Sequence, residues 1–176
     1  MIPKREVATR NGQTYFVTSN TAERTPFFRH ERWADLFVET LLSYRPAKYL
    51  LHDFTLMPDH FHALLTPATS LELAVQCVKG GFSFRARRAF AWKGEIWATG
   101  FSDHRIRDWD DCVVHRNYIA RNPVKAGLVE SELQYRYGAV SGAYSLDAFP
   151  QGLKPEVVSG ESGAAEAAPF QSKNRY

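Results

Sequence analysis

Residues 49–67 read YLLHDFTLMPDHFHALLTP. Two strand-like runs, 49–57 and 60–67, are separated only by Pro58 and Asp59. So short a link of turn residues predicts a hairpin of adjacent antiparallel strands. Side chains alternate faces along a strand, so His60 and His62 point the same way, about 7 Å apart at Cα. Phe61 and Ala63 then face the opposite side, where helices and core are expected. Two imidazoles on one face can converge on a divalent ion and leave coordination positions open for water or substrate oxygens. The same pair also fits surface or hydrogen-bonded histidines, and spacing alone does not choose. His30, His52 and His115 show no comparable arrangement and read as packing or surface residues.

Working outward, TYFVTSN at 14–20 is β-branched and aromatic and reads as a strand. Residues 31–44 place Trp33, Leu36, Phe37, Thr40, Leu41 and Tyr44 at helical spacing, and Pro46 stops that helix. Residues 70–92 form a second predicted helix, with Ser70 as its N-cap and Gly80-Gly81 weakening or bending its middle. A loop from residue 95 leads into a strand around His104–Arg107. Asp108 caps the next helix, with Asp111 three residues on in a capping-box position. In NPVKAGLV, Asn122 reads as the N-cap of a separate short helix that opens at Pro123 and ends at Gly127. The order strand, helix, strand, strand, helix, strand, helix predicts an α+β fold, a ferredoxin-like antiparallel sheet with packed helices.

The chain has 176 residues, enough for one domain with a sizeable core. The domain is expected over 1–146, opening with a flexible arm at 1–12. Residues 147–176 are small, polar and poor in aliphatics, which predicts a flexible tail. Cys77 and Cys112 form no CxxC or other metal spacing, and two cysteines make no disulfide scaffold. No run is apolar and long enough to cross a bilayer, and the N-terminus lacks an apolar signal core. A reduced, soluble, cytoplasmic protein is expected.

Two further constellations carry chemistry. Tyr118 and Asn122 are four apart, the spacing that shares a helix face. A tyrosine hydroxyl can act as a nucleophile and an asparagine carbonyl oxygen can ligate a metal. Against this, Tyr118 also reads as a core aromatic and Asn122 as a simple cap. Lys79, Arg85, Arg87, Arg88 and Lys93 are interleaved with Phe82, Phe84, Phe90 and Trp92 and no acid. Basic plus aromatic surface suits single-stranded nucleic acid. A solvated helix face with its phenylalanines in the core explains the pattern equally well. A second basic set, Arg105, Arg107, Arg116, Arg121 and Lys125, flanks Tyr118, partly offset by Asp108, Asp110 and Asp111.

Three motifs in order resemble one family, the REP-associated tyrosine transposases. LMPDHFHALL resembles the His-hydrophobic-His (HUH) motif of single-tyrosine transposases. IWATGFSDHRIRD is similar to the family's W-x-x-x-F-x-D-H-x-I-R block, with Ser102 where histidine is common. NYIARNPVKAGLV resembles its Y-I-x-x-N-P-V-x-A-G-L-V block. The similarity runs from about Tyr15 to Leu128. It implies the HUH endonuclease fold and a DNA endonuclease and strand transferase that acts on single-stranded REP hairpins through a covalent 5′-phosphotyrosine. It implies Tyr118 as nucleophile, with His60, His62 and Asn122 holding Mg²⁺ or Mn²⁺. His104, Arg116 and Arg121 become candidates for supporting the site. Lys79, Arg85, Arg87, Arg88, Lys93, Arg105 and Arg107 become candidates for contacting DNA. It also implies a monomer. A domesticated hairpin-binding protein that does not cut, and an unrelated metal-dependent hydrolase, are the competing expectations.

Overall fold

The computed structural model describes residues 12–153. Its hairpin is the one expected: β2 (Tyr49–Met57) and β3 (His60–Pro67) pair antiparallel around Pro58-Asp59. β1 (Tyr15–Asn20) lies antiparallel to β3 on the far side, and β4 (Ser102–Arg105) pairs with β1. The sheet order β2-β3-β1-β4, antiparallel throughout, is the ferredoxin-like arrangement. β4 begins two residues earlier than expected.

The sheet has two unlike faces. Tyr15, Val17 and Ser19 of β1 share one face with Leu65, Ala63 and Phe61 of β3. Helices α1 (Glu31–Ser43) and α2 (Leu71–Phe90) cover it. Phe37 sits at the centre, its ring 5.0 Å from Phe61 and 5.4 Å from Phe82. Each buried side chain of this size contributes roughly 1.5–3 kcal/mol. Ser70 caps α2 by accepting the Leu73 N–H at 3.2 Å. The Gly80-Gly81 pair does not break α2. A Cβ on Gly81 would strike the Tyr44 ring, 2.7 Å from Cε2, so this glycine lets α1 and α2 approach closely, while Gly80 meets nothing within 4 Å.

The other face carries Phe16, Thr18, His62, Leu64 and His104, and α3 (Trp109–Lys125) lies across it. Leu64, Ile106, Cys112 and Ile119 form a small second core beneath α3. Asp108 caps the helix by accepting the Asp111 N–H at 2.8 Å. The reciprocal half of the capping box is shifted, because the Asp111 carboxylate accepts from the Arg107 N–H instead.

The separate helix expected from Asn122 does not exist. α3 runs unbroken through Pro123. Gly127, at φ +68°, ends it, with Gly127 N–H donating to Val124 and Leu128 N–H to Pro123. This is the Schellman closure. Pro123 falls in the last turn, where the loss of one helical hydrogen bond costs least.

Packing also continues beyond residue 146. Asp147 exchanges backbone and side-chain bonds with Leu51, and its carboxylate meets Arg45 at 3.3 Å. With Tyr135 and Tyr137 bonded to Leu56, this segment straps the outer edge of β2. Residues 1–11 of the expected arm and 154–176 of the expected tail lie outside the described residues. No helix among the described residues is long and apolar enough to cross a membrane.

Candidate active site

The site grows from the alternation of β3. His60 and His62 share the α3 face, with ring centroids 4.8 Å apart. Across the ladder, β1 sets Thr18 beside His62 and Asn20 beside His60. Thr18 Oγ1 and His62 Nδ1 are hydrogen bonded at 2.7 Å. His62 is only 3% exposed, and its Nε2 is buried with no hydrogen-bond partner among the described residues. His60 Nδ1 is bonded to the Asp59 carboxylate at 2.6 Å, and Asp59 in turn pairs with Arg24 at 2.8 Å.

Burial pushes the His62 imidazole down to about 3, helped by the neighbouring His60 and Arg24. Burial also lowers His60, against the pull of Asp59. Both rings are therefore neutral at pH 7, the form that ligates metals. A buried ring nitrogen without a partner is costly, and a cation would satisfy it. A carboxylate on the far nitrogen of a histidine is the usual outer support of a metal ligand. The residues present fit a divalent ion.

α3 brings the tyrosine. Phe16 of β1 forms the pivot: its ring lies 5.4 Å from His62, 4.8 Å from His115 and 5.8 Å from Tyr118. The Tyr118 ring packs edge-on to His62 at 5.2 Å, yet Tyr118 stays 43% exposed. His62 and Tyr118 meet within the chain. Because α3 is continuous, Asn122 keeps its place one turn beyond Tyr118 and caps nothing. Its carbonyl accepts the Ala126 N–H as an ordinary helical residue. The Lys125 ammonium stands 5.6 Å from the centre of the Tyr118 ring and adds positive charge there.

Other expected residues are placed elsewhere. Arg116 turns to the β2 side of α3, where it meets Asp53 at 3.3 Å and covers the Phe149 ring. Arg121 leans toward Glu132 at 3.9 Å. The α2 cluster belongs to the helix layer on the opposite face of the sheet. Lys79 is half-buried and donates to the carbonyls of Ala98 and Gly100. Arg85 pairs with Glu39. Arg87, Arg88 and Lys93 are exposed, and Arg88 lies over the exposed Phe84. Of the interleaved aromatics, Phe82 is core and Phe90 stacks on Trp33. Arg105 is exposed and shares the ladder position of Tyr15.

His104 belongs to a group the sequence reading did not assemble. His104, Asp111 and His115 bring ligand-type atoms within 4.8 Å of one another, another arrangement that can hold a cation. The His104 and His115 rings stack at 4.6 Å. Asp111 is bonded to His104 at 2.9 Å and to the Arg107 guanidinium at 3.1 Å. Burial raises Asp111, but the bonds from His104 and Arg107 outweigh it and hold the carboxyl at about 2. The signal available was Asp111 and His115, four apart on a helix that follows His104. Asp53 was also missed. A carboxylate inside the apolar run YLLHDFTLM was its only trace.

No family model matches the chain. Over 108 residues it is 29% identical to a provisionally named REP-associated tyrosine transposase of Haemophilus influenzae, covering 54% of this chain and 61% of that protein's length. The match therefore spans less than two thirds of the relative. The backbone is similar to a solved REP-associated tyrosine transposase bound to a REP hairpin, with a TM-score of 0.62 at 21% identity, covering 89% of this chain and 94% of that one. A provisionally assigned transposase from Deinococcus radiodurans R1 matches at a TM-score of 0.47 and 22% identity, over 60% of this chain and 87% of that one. The three sequence motifs resemble that family, and the backbone shares the fold of the solved structure.

Proposed function

We propose that this chain, similar in sequence and fold to REP-associated tyrosine transposases, is a metal-dependent single-stranded DNA endonuclease and strand transferase. Its substrate class is a REP-type hairpin with single-stranded flanks, and it works in the cytoplasm as a monomer. The observation that carries the reading is the exposed Tyr118 ring packed on His62, whose buried Nε2 has no partner.

His60, His62 and Asn122 would hold Mg²⁺ or Mn²⁺, which supplies Lewis-acid stabilisation of the charge developing on the scissile phosphate. Thr18 and Asp59 hold the two rings through Nδ1, which leaves the Nε2 atoms to serve as ligands. Tyr118 Oη attacks phosphorus in line. The Oη–P bond forms, the P–O3′ bond breaks, and the leaving oxygen takes a proton to become a free 3′-hydroxyl. The product is a 5′-phosphotyrosine. A 3′-hydroxyl attacking that link rejoins DNA and releases Tyr118. The covalent step conserves the phosphodiester, so no nucleotide cofactor is needed. Lys125 adds positive charge beside the incoming phosphate.

The test is a synthetic DNA hairpin with single-stranded flanks, incubated with Mg²⁺ or Mn²⁺ and run on a denaturing gel. Wild type should give a covalent protein–DNA band, and Tyr118→Phe should give none. Nicking that persists in Tyr118→Phe overturns the assignment of the nucleophile. Tight binding without nicking under either metal leaves a hairpin-binding protein that does not cut.

A further inference from the structure

The turn between β1 and α1, residues 21–25, lies beside the histidine pair. Glu23 and Arg24 both occupy the left-handed region, at φ +51° and +56°. Residues with a Cβ rarely do so, and two in succession persist only where surrounding bonds over-determine them. Thr21 supplies those bonds. Its N–H donates to the Asp59 carbonyl, and its hydroxyl lies within hydrogen-bond distance of the Asp59 and Thr25 carbonyls. Ala22 N–H donates to the Ile96 carbonyl. Held in this way, Arg24 turns back onto the site. Its Nε stands 2.8 Å from Asp59 Oδ2, and its Nη1 donates to Asn20 Oδ1 at 2.6 Å. The other Asp59 oxygen is bonded to His60 Nδ1 at 2.6 Å, and Asn20 lies opposite His60 in the ladder. A single carboxylate thus separates a guanidinium from His60.

We propose that Arg24 binds a backbone phosphate of the DNA strand at the His60 end of the site, and so sets which phosphate reaches Tyr118. Its bonds within the fold do not account for its placement. The side chain is 55% exposed, and an ion pair in that setting adds little stability. So small a gain does not offset two left-handed residues in succession. Charge points the same way. A fixed cation beside a divalent-ion site repels the ion, and Asp59 balances only one of the charges. A phosphate lying there completes the balance. Nη2 has no partner among the described residues, so its two N–H groups are left to meet phosphate oxygens. The planar guanidinium matches those oxygens, and bonds between two ionised groups are among the stronger ones.

A contact of this kind fixes register and carries no base preference. The scissile phosphate has to reach both the Tyr118 hydroxyl and the histidine pair, and a neighbouring phosphate held by Arg24 places it along the strand. Lys125 adds charge beside Tyr118 from α3, whereas Arg24 acts from the turn after β1. The inference rests on the proposed function in taking single-stranded DNA as the ligand.

The test is fluorescence anisotropy of labelled dT10 over a series of salt concentrations. The full chain with Tyr118→Phe is used in EDTA, so binding is read apart from cleavage. One phosphate contact to a single strand contributes about 0.7 to the slope of log affinity against log salt. Adding Arg24→Gln should reduce the slope by about 0.7 and weaken binding roughly tenfold at low salt. Arg24→Lys keeps the charge and should keep the slope, which guards against a general fault in Arg24→Gln. Mn²⁺ affinity, read by calorimetry without DNA, should not weaken in Arg24→Gln, because a neighbouring cation is removed. A slope unchanged in Arg24→Gln overturns the proposal, and weaker Mn²⁺ binding alongside it would make Arg24 only a prop for Asp59. A slope that falls equally in Arg24→Lys also overturns it. Failure of this inference leaves covalent adduct formation by wild type intact. Failure of the nuclease reading, with no adduct from wild type, leaves the salt slope and its response to Arg24→Gln intact.

Discussion

The two faces of the sheet differ in what they hold. One is packed with aromatic and aliphatic side chains under α1 and α2. The other carries two lowered histidines, an orphaned ring nitrogen, a perturbed Asp53 and only a four-residue core under α3. Phe61 and its neighbours His60 and His62 alternate between them, so a shift of one residue would exchange core for chemistry. The contrast teaches that stability is concentrated on the α1/α2 side, leaving the α3 side free to keep unsatisfied polar groups.

The sharpest way to break this contrast is to mutate adjacent positions of β3. Phe61→Ala should cost about 3–5 kcal/mol, read by urea unfolding. His62→Phe should cost far less, on the order of 1 kcal/mol, because loss of the Thr18 bond is partly offset by removal of a buried Nε2 that has no partner among the described residues. The same variant should lose metal-dependent nicking. A large loss of stability in His62→Phe would mean that the histidine serves the fold instead.

A smaller effect separates the two glycines of α2. Gly81→Ala should destabilise by about 1–3 kcal/mol through collision with Tyr44. Gly80→Ala, in open space, should stabilise by about 0.5–1 kcal/mol. Thermal melts of the two single variants should move in opposite directions.

An effect of comparable size is acid dependence on the α3 side. The Asp111 carboxyl is held at about 2, below its ordinary 3.8. A depressed carboxylate stabilises the fold above its unfolded value and loses that contribution as pH falls through the folded one. Asp111 should therefore contribute on the order of 1–2 kcal/mol above about pH 4 and lose it toward pH 2. Asp111→Asn should flatten the stability profile over that window, read by denaturant unfolding at several pH values.

The hairpin's strand bounds were legible, because two apolar runs parted by two turn residues leave little other choice, but the irregularity in register between Leu51 and Asp53 was not. α1 and α2 were legible from apolar spacing and from Ser70. Asn122-Pro123 misled, since a proline at the first helical position and one in the last turn leave the same local signature. Only Gly127, already visible as a terminator, marks the end of the longer helix. The histidine pair and Tyr118 were legible as candidates, but their meeting depends on Phe16, which no local pattern links to them. The basic residues were least legible. Charge runs in sequence say nothing about layers, and α2 lies beyond the sheet from Tyr118. Arg116 was drawn instead to Asp53, a partner 63 positions away.

The strap along β2 also sets the shortest length at which this chain can be expressed as a well-behaved molecule. Without residues 135–149, Leu51 and Leu56 would present unpaired backbone groups on an open, apolar border. Borders of that kind recruit other strands and end in aggregates. A truncation placed after Leu153 preserves the seal, and one placed before Tyr135 invites fibrils.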